Sequence, residues 1–330
     1  MSVQRTIRVG TFNLFNLVLP GEKFYGREIS RKDYQKKILW TGHQLNQMNA
    51  DVVGFQEVFH PEALSEALQE SQKLKHAHFV VASPTGDLPR VALASKFPIV
   101  SHHVFTQIPT PIELEGTQIP ITEFSRPVLK ATVEFPGGTE VDFFVAHLKS
   151  KRPFLENGEN RANPMDLARG QARSLIRRAV EAAGIREILL RELQDKQRPI
   201  ILCGDVNDVG TAVTTRIISG EPPHRRFPIE VKQSIWDVLL YHVKDIQARK
   251  AMEDVYYTHI HNGFHEALDH IMVSEEFVRE NRNGIAEVLF ARVFNDHLVD
   301  NTISDDKVPV WTSDHGTVVM QLEMKRPKDN

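Results

Sequence analysis

The chain has 330 residues, 41% hydrophobic and 25% charged, and a formal net charge of −3. That composition excludes a disordered or low-complexity protein, and the near balance of charge excludes a uniformly basic surface, so a polyanionic partner would need a local basic patch. A single cysteine, Cys203, excludes an internal disulfide framework. No apolar run approaches the ~18 residues of a membrane span, so no membrane insertion is expected, and "MSVQRTIRVGTFNL" has neither an h-region nor a cleavage site. With the lone cysteine, this points to a reducing, cytoplasmic location.

Runs rich in Val, Ile and Phe read as strands at 6–14, 51–58, 78–84, 90–100, 126–135, 141–148, 198–205, 268–274 and 317–324. Over 31–48, Tyr34, Ile38, Leu45 and Met48 recur at helical spacing, and Pro61 opens a second helix. The longest helix is predicted to start at Asn163-Pro164, an N-cap followed by proline in the first turn. It runs to about Gly184 and resumes over 186–196, with Glu187–Arg191 and Glu192–Lys196 as exposed i,i+4 pairs. Long connections fall at about 15–32, 101–125 and 149–163, and long ordered loops tend to carry function. Strand-like runs extend to both chain ends without repeat or linker. One domain over 1–330 is expected, its core at about 6–324 with a short polar tail.

Polar residues gather where these strands start or stop. Asn13 ends the first run, Glu57 the second, His147 ends "FFVAHL", and Asp205 and Asn207 follow "IILC". Asp269 opens "LDHIMV", and Asp314-His315 precede the last strand. If the last strands run antiparallel to the others, all eight groups meet at one sheet edge. A plain strand-to-turn corner is the alternative for "GDVND", since Gly, Asp and Asn are turn formers. Carboxylate and amide oxygens suit Mg²⁺ or Mn²⁺ rather than a thiolate zinc site. Two histidines with acidic neighbours suit proton transfer or phosphate stabilisation.

The order and spacing of "TFNL", "VGFQEV", "RVALASKFPI", "SRPVLKATV", "VAHLKSK", "ILCGDVND", "LDHIMV" and "TSDHGTV" resemble the endonuclease/exonuclease/phosphatase, or deoxyribonuclease-I-like, superfamily, and most of all its bacterial nuclease-like members. The likeness spans about 10–322. It implies an α/β (α+β) four-layer sandwich of two packed, mostly antiparallel β-sheets flanked by helices. It also implies Glu57 as principal metal ligand, with Asn13 and Asp314 completing or bordering the shell. Asp205 would be the base aligning water, and Asn207 would hold a phosphate oxygen. His315, held by Asp269, would contact the scissile phosphate; His147, which matches the deoxyribonuclease-type histidine, would either stabilise the phosphate or protonate the leaving group. Arg126 has a family counterpart near phosphate, with an ordinary surface arginine as the alternative.

A basic stretch follows His147: Lys149, Lys151, Arg152 and Arg161, then Arg169, Arg173 and Arg177 at four-residue spacing on one helix face. It reads either as a solvated face, with Arg177–Glu181 as a surface pair, or as a track for the phosphates of nucleic acid. Against the track stands the acidic loop 295–307. The expected activity is that of a divalent-metal-dependent phosphodiesterase, a nuclease acting on DNA or RNA. The alternative is a phosphoesterase on a lipid or small ester, and the third reading is a catalytically dead scaffold. No obligate protein partner is inferred.

Overall fold

The computed structural model describes residues 6–195, 198–248, 256–281, 283–300, 302 and 307–325. Strand β1 (Thr6–Leu17) is followed by a small hairpin, β2 (Lys23–Phe24) and β3 (Arg27–Glu28), helix α1 (Arg31–Met48), strand β4 (Val52–Val58) and helix α2 (Pro61–Gln69). Next come β5 (His78–Val81), β6 (Arg90–Ser95), β7 (Ile99–Gln107) and a second hairpin, β8 (Glu113–Leu114) and β9 (Thr117–Gln118). The middle of the chain holds β10 (Glu123–Phe135), β11 (Thr139–His147), α3 (Pro164–Asp195), β12 (Ile200–Asp205), α4 (Val213–Ser219) and α5 (Ile229–Trp236). The last part holds β13 (Tyr241–His242), α6 (Val243–Ala248), a third hairpin, β14 (His259–His261) and β15 (Phe264–Glu266), then β16 (Asp269–Val273), β17 (Ala286–Phe294) and β18 (Thr317–Met324).

Two six-stranded sheets, ordered β17-β18-β1-β4-β6-β5 and β13-β16-β12-β11-β10-β7, pack face to face. Strict alternation makes this possible. Ile201 and Cys203 of β12 point into the inter-sheet core, while Ile200 and Leu202 point to the layer under α3 and α4. Both faces are covered, which is why "IILC" is an unbroken apolar run. On the other side Val53 and Phe55 pack beneath α1 and α2 with Tyr34, Ile38, Leu45 and Leu64. The expected four-layer arrangement is thus present. β1 runs parallel to β4, and β11 parallel to β12. β18 is antiparallel to β1, and β16 antiparallel to β12. The ends of β1, β4, β11 and β12 and the starts of β16 and β18 therefore share one rim.

Helix caps follow the sequence. The Ser30 hydroxyl accepts from Asp33 N–H at 3.1 Å, and Asn163 Oδ1 accepts from Met165 N–H at 2.9 Å. Helix α3 passes through Gly184 without interruption, contrary to the expected break. A Cβ there would lie 3.1 Å from the Phe124 ring and 3.2 Å from Ile108, so the glycine serves close packing and not a turn. Of the two exposed pairs, Glu187–Arg191 forms. Lys196 lies outside the described residues; Glu192 pairs with Lys130 at 2.6 Å.

One connection read as a loop is largely ordered strand. The 101–125 segment continues β7 to Gln107, forms the β8–β9 hairpin and enters β10 at Glu123. β7 is an edge strand with exposed Val100, Ser101, His102 and His103, so it lacks the apolar alternation of a core strand. β17 escaped notice because a register shift between Val288 and Phe290 breaks its alternation. Among the described residues, no helix is long and apolar enough to cross a membrane.

The sheets approach closely at Gly54. A Cβ on Gly54 would lie 2.5 Å from Cys203 Sγ and 3.3 Å from Val145. Gly54→Ala should therefore lower stability by about 1–3 kcal/mol, the usual cost of overpacking. Adding Cys203→Ala should return part of that loss. Urea unfolding of the single and double variants checks it; additive losses would mean that Cys203 is not the obstacle.

Candidate active site

The backbone is strained where β1, β4 and β12 reach the shared rim. Phe15, Asn16, Glu57 and Asn207 all have positive φ, between 47° and 63°, a costly conformation for non-glycine residues that clusters at functional sites. The strained positions leave backbone N–H groups facing inward. Asn16 N–H donates to Glu57 Oε2 at 3.0 Å, Phe15 N–H to Asn13 Oδ1 at 3.0 Å, and Asn207 N–H to Asp205 Oδ1 at 2.8 Å.

Asp205 is the buried centre. Its Oδ2 accepts from Asn13 Nδ2 at 3.2 Å, a bond that crosses from the first sheet to the second. The same oxygen lies 3.4 Å from His147 Nε2 and 3.8 Å from His315 Nε2. Asp269 Oδ2 accepts from His315 Nδ1 at 2.8 Å. Burial pushes the Asp205 carboxyl upward; His315 opposes the shift, and Asp269 and Glu57 add to it. The two histidines diverge. Burial, then the positive Arg126 and His315, hold His147 well below the ordinary imidazole range. Burial works against charge on His315 too, but Asp269 and Asp205 outweigh it and keep that ring well above the ordinary range.

Glu57 and Asp314 face the same space. Burial raises Glu57 above the ordinary carboxylate range; Arg126 opposes this and Asp314 adds to it. Asp314 Oδ1 and Asp269 Oδ1 are buried without hydrogen-bond partners. Asn13 Oδ1 keeps a second lone pair beyond its bond from Phe15 N–H. Orphaned carboxylate oxygens, a raised glutamate and an amide oxygen form a donor set that a hard divalent cation fits. Two trios place ligand atoms within 4.8 Å of one another, His259/Asp314/His315 and Asp205/Asp269/His315; Glu57 belongs to neither.

All eight rim residues singled out from sequence converge here. Arg126 also reaches the site, donating to Leu148 O at 3.2 Å and influencing Glu57 and His147. Asn207 spends one of its amide N–H groups on Leu148 O at 3.0 Å. The other basic residues are largely committed elsewhere. Burial lowers the Lys149 ammonium to about 8, and its Nζ donates to Ser150 Oγ at 3.2 Å. Lys151 pairs with Glu266 at 2.6 Å. Arg173 grips Glu159 at 2.6 and 2.9 Å, fastening the 149–163 loop, and Arg169 is exposed 3.9 Å from Asp166. Glu181 corrects the surface-pair reading: it is 1% exposed and accepts from Ser125 N–H at 2.9 Å and Lys149 N–H at 2.8 Å. Glu181 and its neighbour Arg178 turn toward Ser125, Lys149 and Asp208 at the strand ends, so these buried positions of α3 are polar.

Other residues went unremarked in the sequence. Arg178 is buried against Asp208 at 3.2 Å. His259 Nδ1–H donates to Asp314 O and His297 Nε2–H to His315 O, both at 2.9 Å, since a carbonyl can only accept. Ser313 Oγ donates to Asn13 O at 2.7 Å. Lys37 of α1 is 1% exposed; burial lowers its ammonium to about 8 against the pull of Glu57 and Asp314. Its place between Tyr34 and Ile38 on the apolar face was the available signal. The acidic loop 295–307 lies partly outside the described residues.

A two-sheet α/β sandwich with strand-end carboxylates, amides and histidines on one rim defines a class of phosphoester hydrolase. The chain belongs to the Endonuclease/Exonuclease/phosphatase family, which matches residues 11–315. Its members are hydrolases of phosphate esters and generally use divalent metals. Solved structures of the same fold include a family member from Bacteroides thetaiotaomicron (17% identity, TM-score 0.58, covering 98% of this chain and 97% of that one). A mannosyl-6-phosphatase from the same species is similar at 16% identity and TM-score 0.57, over 96% and 99% of the two chains. The human Nocturnin catalytic domain is similar at 17% and 0.56, over 98% and 97%. No curated protein sequence matches the chain.

The opposite shifts on the two histidines are measurable. By NMR, the His315 ring should titrate well above ~6.5, and Asp269→Asn should bring its midpoint down by at least about one unit. Because the folded value is raised, the stability from this pair is fully present below ~6.5 and is lost as pH rises through the raised value. A wild-type midpoint at or below ~6.5 would contradict the pairing.

Proposed function

We propose that the chain is a divalent-metal-dependent phosphodiesterase, and that its substrate is nucleic acid. The observation that carries the chemistry is the Asp205 carboxylate, bonded to Asn13 and flanked by two histidines whose pKa values burial and neighbouring charges push in opposite directions. Glu57, Asp314 and Asn13 Oδ1 would hold the cation, which supplies charge neutralisation at the phosphate oxygens and the leaving oxygen. Asp205 orients and deprotonates the attacking water. The positive His315 and Arg126 face the phosphate and stabilise charge that builds on its oxygens. His147, held neutral, offers its Nε2–H as a hydrogen-bond donor; a depressed ring suits that task better than proton donation to the leaving group. Asn207 orients beside it.

Nucleic acid is favoured by the deoxyribonuclease-type His147 and by the cations around the rim, Arg126, Lys149 and Arg152. A second reading, a small or lipid phosphate ester, is favoured by the capture of Lys151 and Arg173 by carboxylates. The phosphatase among the structural neighbours fits it as well.

One experiment addresses both levels. Activity on bis-p-nitrophenyl phosphate should vanish in EDTA and return with Mg²⁺ or Mn²⁺. Asp205→Asn should lower turnover by about 10²–10⁴. Cleavage of DNA or RNA should fall steeply with salt through counterion release, and cleavage of the small diester should not. Full activity in chelator would remove the metal reading. Nucleic-acid cleavage that is absent or insensitive to salt would put the small-ester reading first.

A further inference from the structure

We propose that Lys37 is a positioning residue that sets the ligand shell of the metal centre. The inference rests on the proposed metal reading and deepens it. Lys37 Nζ donates to Phe15 O at 2.9 Å and to Thr312 O at 3.4 Å. Those two carbonyls lie on the two backbone segments from which the three candidate ligands are set.

The first segment is the strained, irregular stretch of β1 between Asn13 and Leu17. Phe15 N–H holds Asn13 Oδ1, and Asn16 N–H holds Glu57 Oε2. Both residues have positive φ, so the stretch needs an external hold. The second segment leads into β18. Thr312 is followed by Ser313, whose hydroxyl bonds Asn13 O, and then by Asp314. One ammonium thus ties Asn13, the clamp on Glu57, and Asp314 to a single point on α1. The Phe15 ring stands 5.8 Å from the same ammonium.

The cost of the arrangement argues for its purpose. An ammonium that is 1% exposed gives up its hydration, and a methionine of similar length would fill the space without that cost. What a methionine cannot do is bond two carbonyls and place positive charge beside Glu57 and Asp314, both of which act on Lys37. Two carboxylates aimed at one space repel each other when no cation lies between them. Lys37 offsets that repulsion from beneath, and the loops hold their shape before metal arrives.

The test is a Mn²⁺ binding isotherm on the full-length protein without substrate, with thermal unfolding in EDTA and in Mn²⁺. Lys37→Met should raise the Mn²⁺ dissociation constant about 10–100-fold, the range for outer partners of metal ligands. Lys37→Arg, which keeps the cation and its donors, should recover most of that loss. The stabilisation conferred by Mn²⁺ should shrink in Lys37→Met. Should Lys37→Met not fold, Lys37→Gln carries the test, with an expected loss of at least about threefold, since the amide keeps a donor but not the charge. Binding by the Met or Gln variant that stays within twofold of wild type, or tightens because a positive charge has gone, overturns the proposal. So does an equal loss of melting temperature with and without Mn²⁺. A wild-type protein that binds no Mn²⁺ fails earlier, at the metal reading itself.

Discussion

A carboxylate at the end of a fully buried strand must be bonded, neutralised or protonated, because an isolated buried charge is prohibitively costly. Asp205 ends such a strand, with every residue of β12 buried. The rest of the rim can be understood as the answer to that constraint. Asn13 reaches it from the other sheet, Asn207 turns its N–H back onto it, and His147 and His315 approach from either side. The bond from Asn13 also ties the two sheets together at this point. Catalytic geometry and sheet packing therefore share the same few contacts.

One residue type performs two tasks at this site because its surroundings differ. His315 is held by Asp269 and stays cationic, whereas His147 has a buried Nδ1 without a partner, the positive Arg126 nearby, and stays neutral. Environments that push two titratable groups apart are the usual way one pocket provides both a charge stabiliser and a neutral donor. Behind them, the carbonyls of Asp314 and His315 are fixed by His259 and His297, so the last loop is held by its backbone and its side chains remain available.

What could be read from sequence follows a physical divide. Asn13, Glu57, Asp205 and Asp314-His315 were visible because each interrupts an apolar run, and polar residues placed there need a reason. Glu181, Lys37 and Arg178 were not, because in a helix a charged residue is ordinarily solvated, and only the three-dimensional contacts show which face turns inward. β17 and the outer part of β7 lie at sheet edges, where a bulge or one exposed face blurs the period-two pattern. The cations after His147 looked like one patch in sequence. In space, Lys151 and Arg173 answer to Glu266 and Glu159, whereas Arg126 and Lys149 lie near enough to His147 to act on its charge.

The central claim is that the rim of the first sheet builds one cation site between Glu57, Asp314 and Asn13, beside His315 and the Asp205 carboxylate of the second sheet. Anomalous scattering from Mn²⁺-soaked crystals tests this most directly. The account predicts a peak within coordinating distance, about 2.0–2.2 Å, of a Glu57 oxygen and an Asp314 oxygen, and its loss in Glu57→Gln crystals. A peak confined to the exposed histidines of the β14–β15 hairpin, or none at the rim, would contradict it.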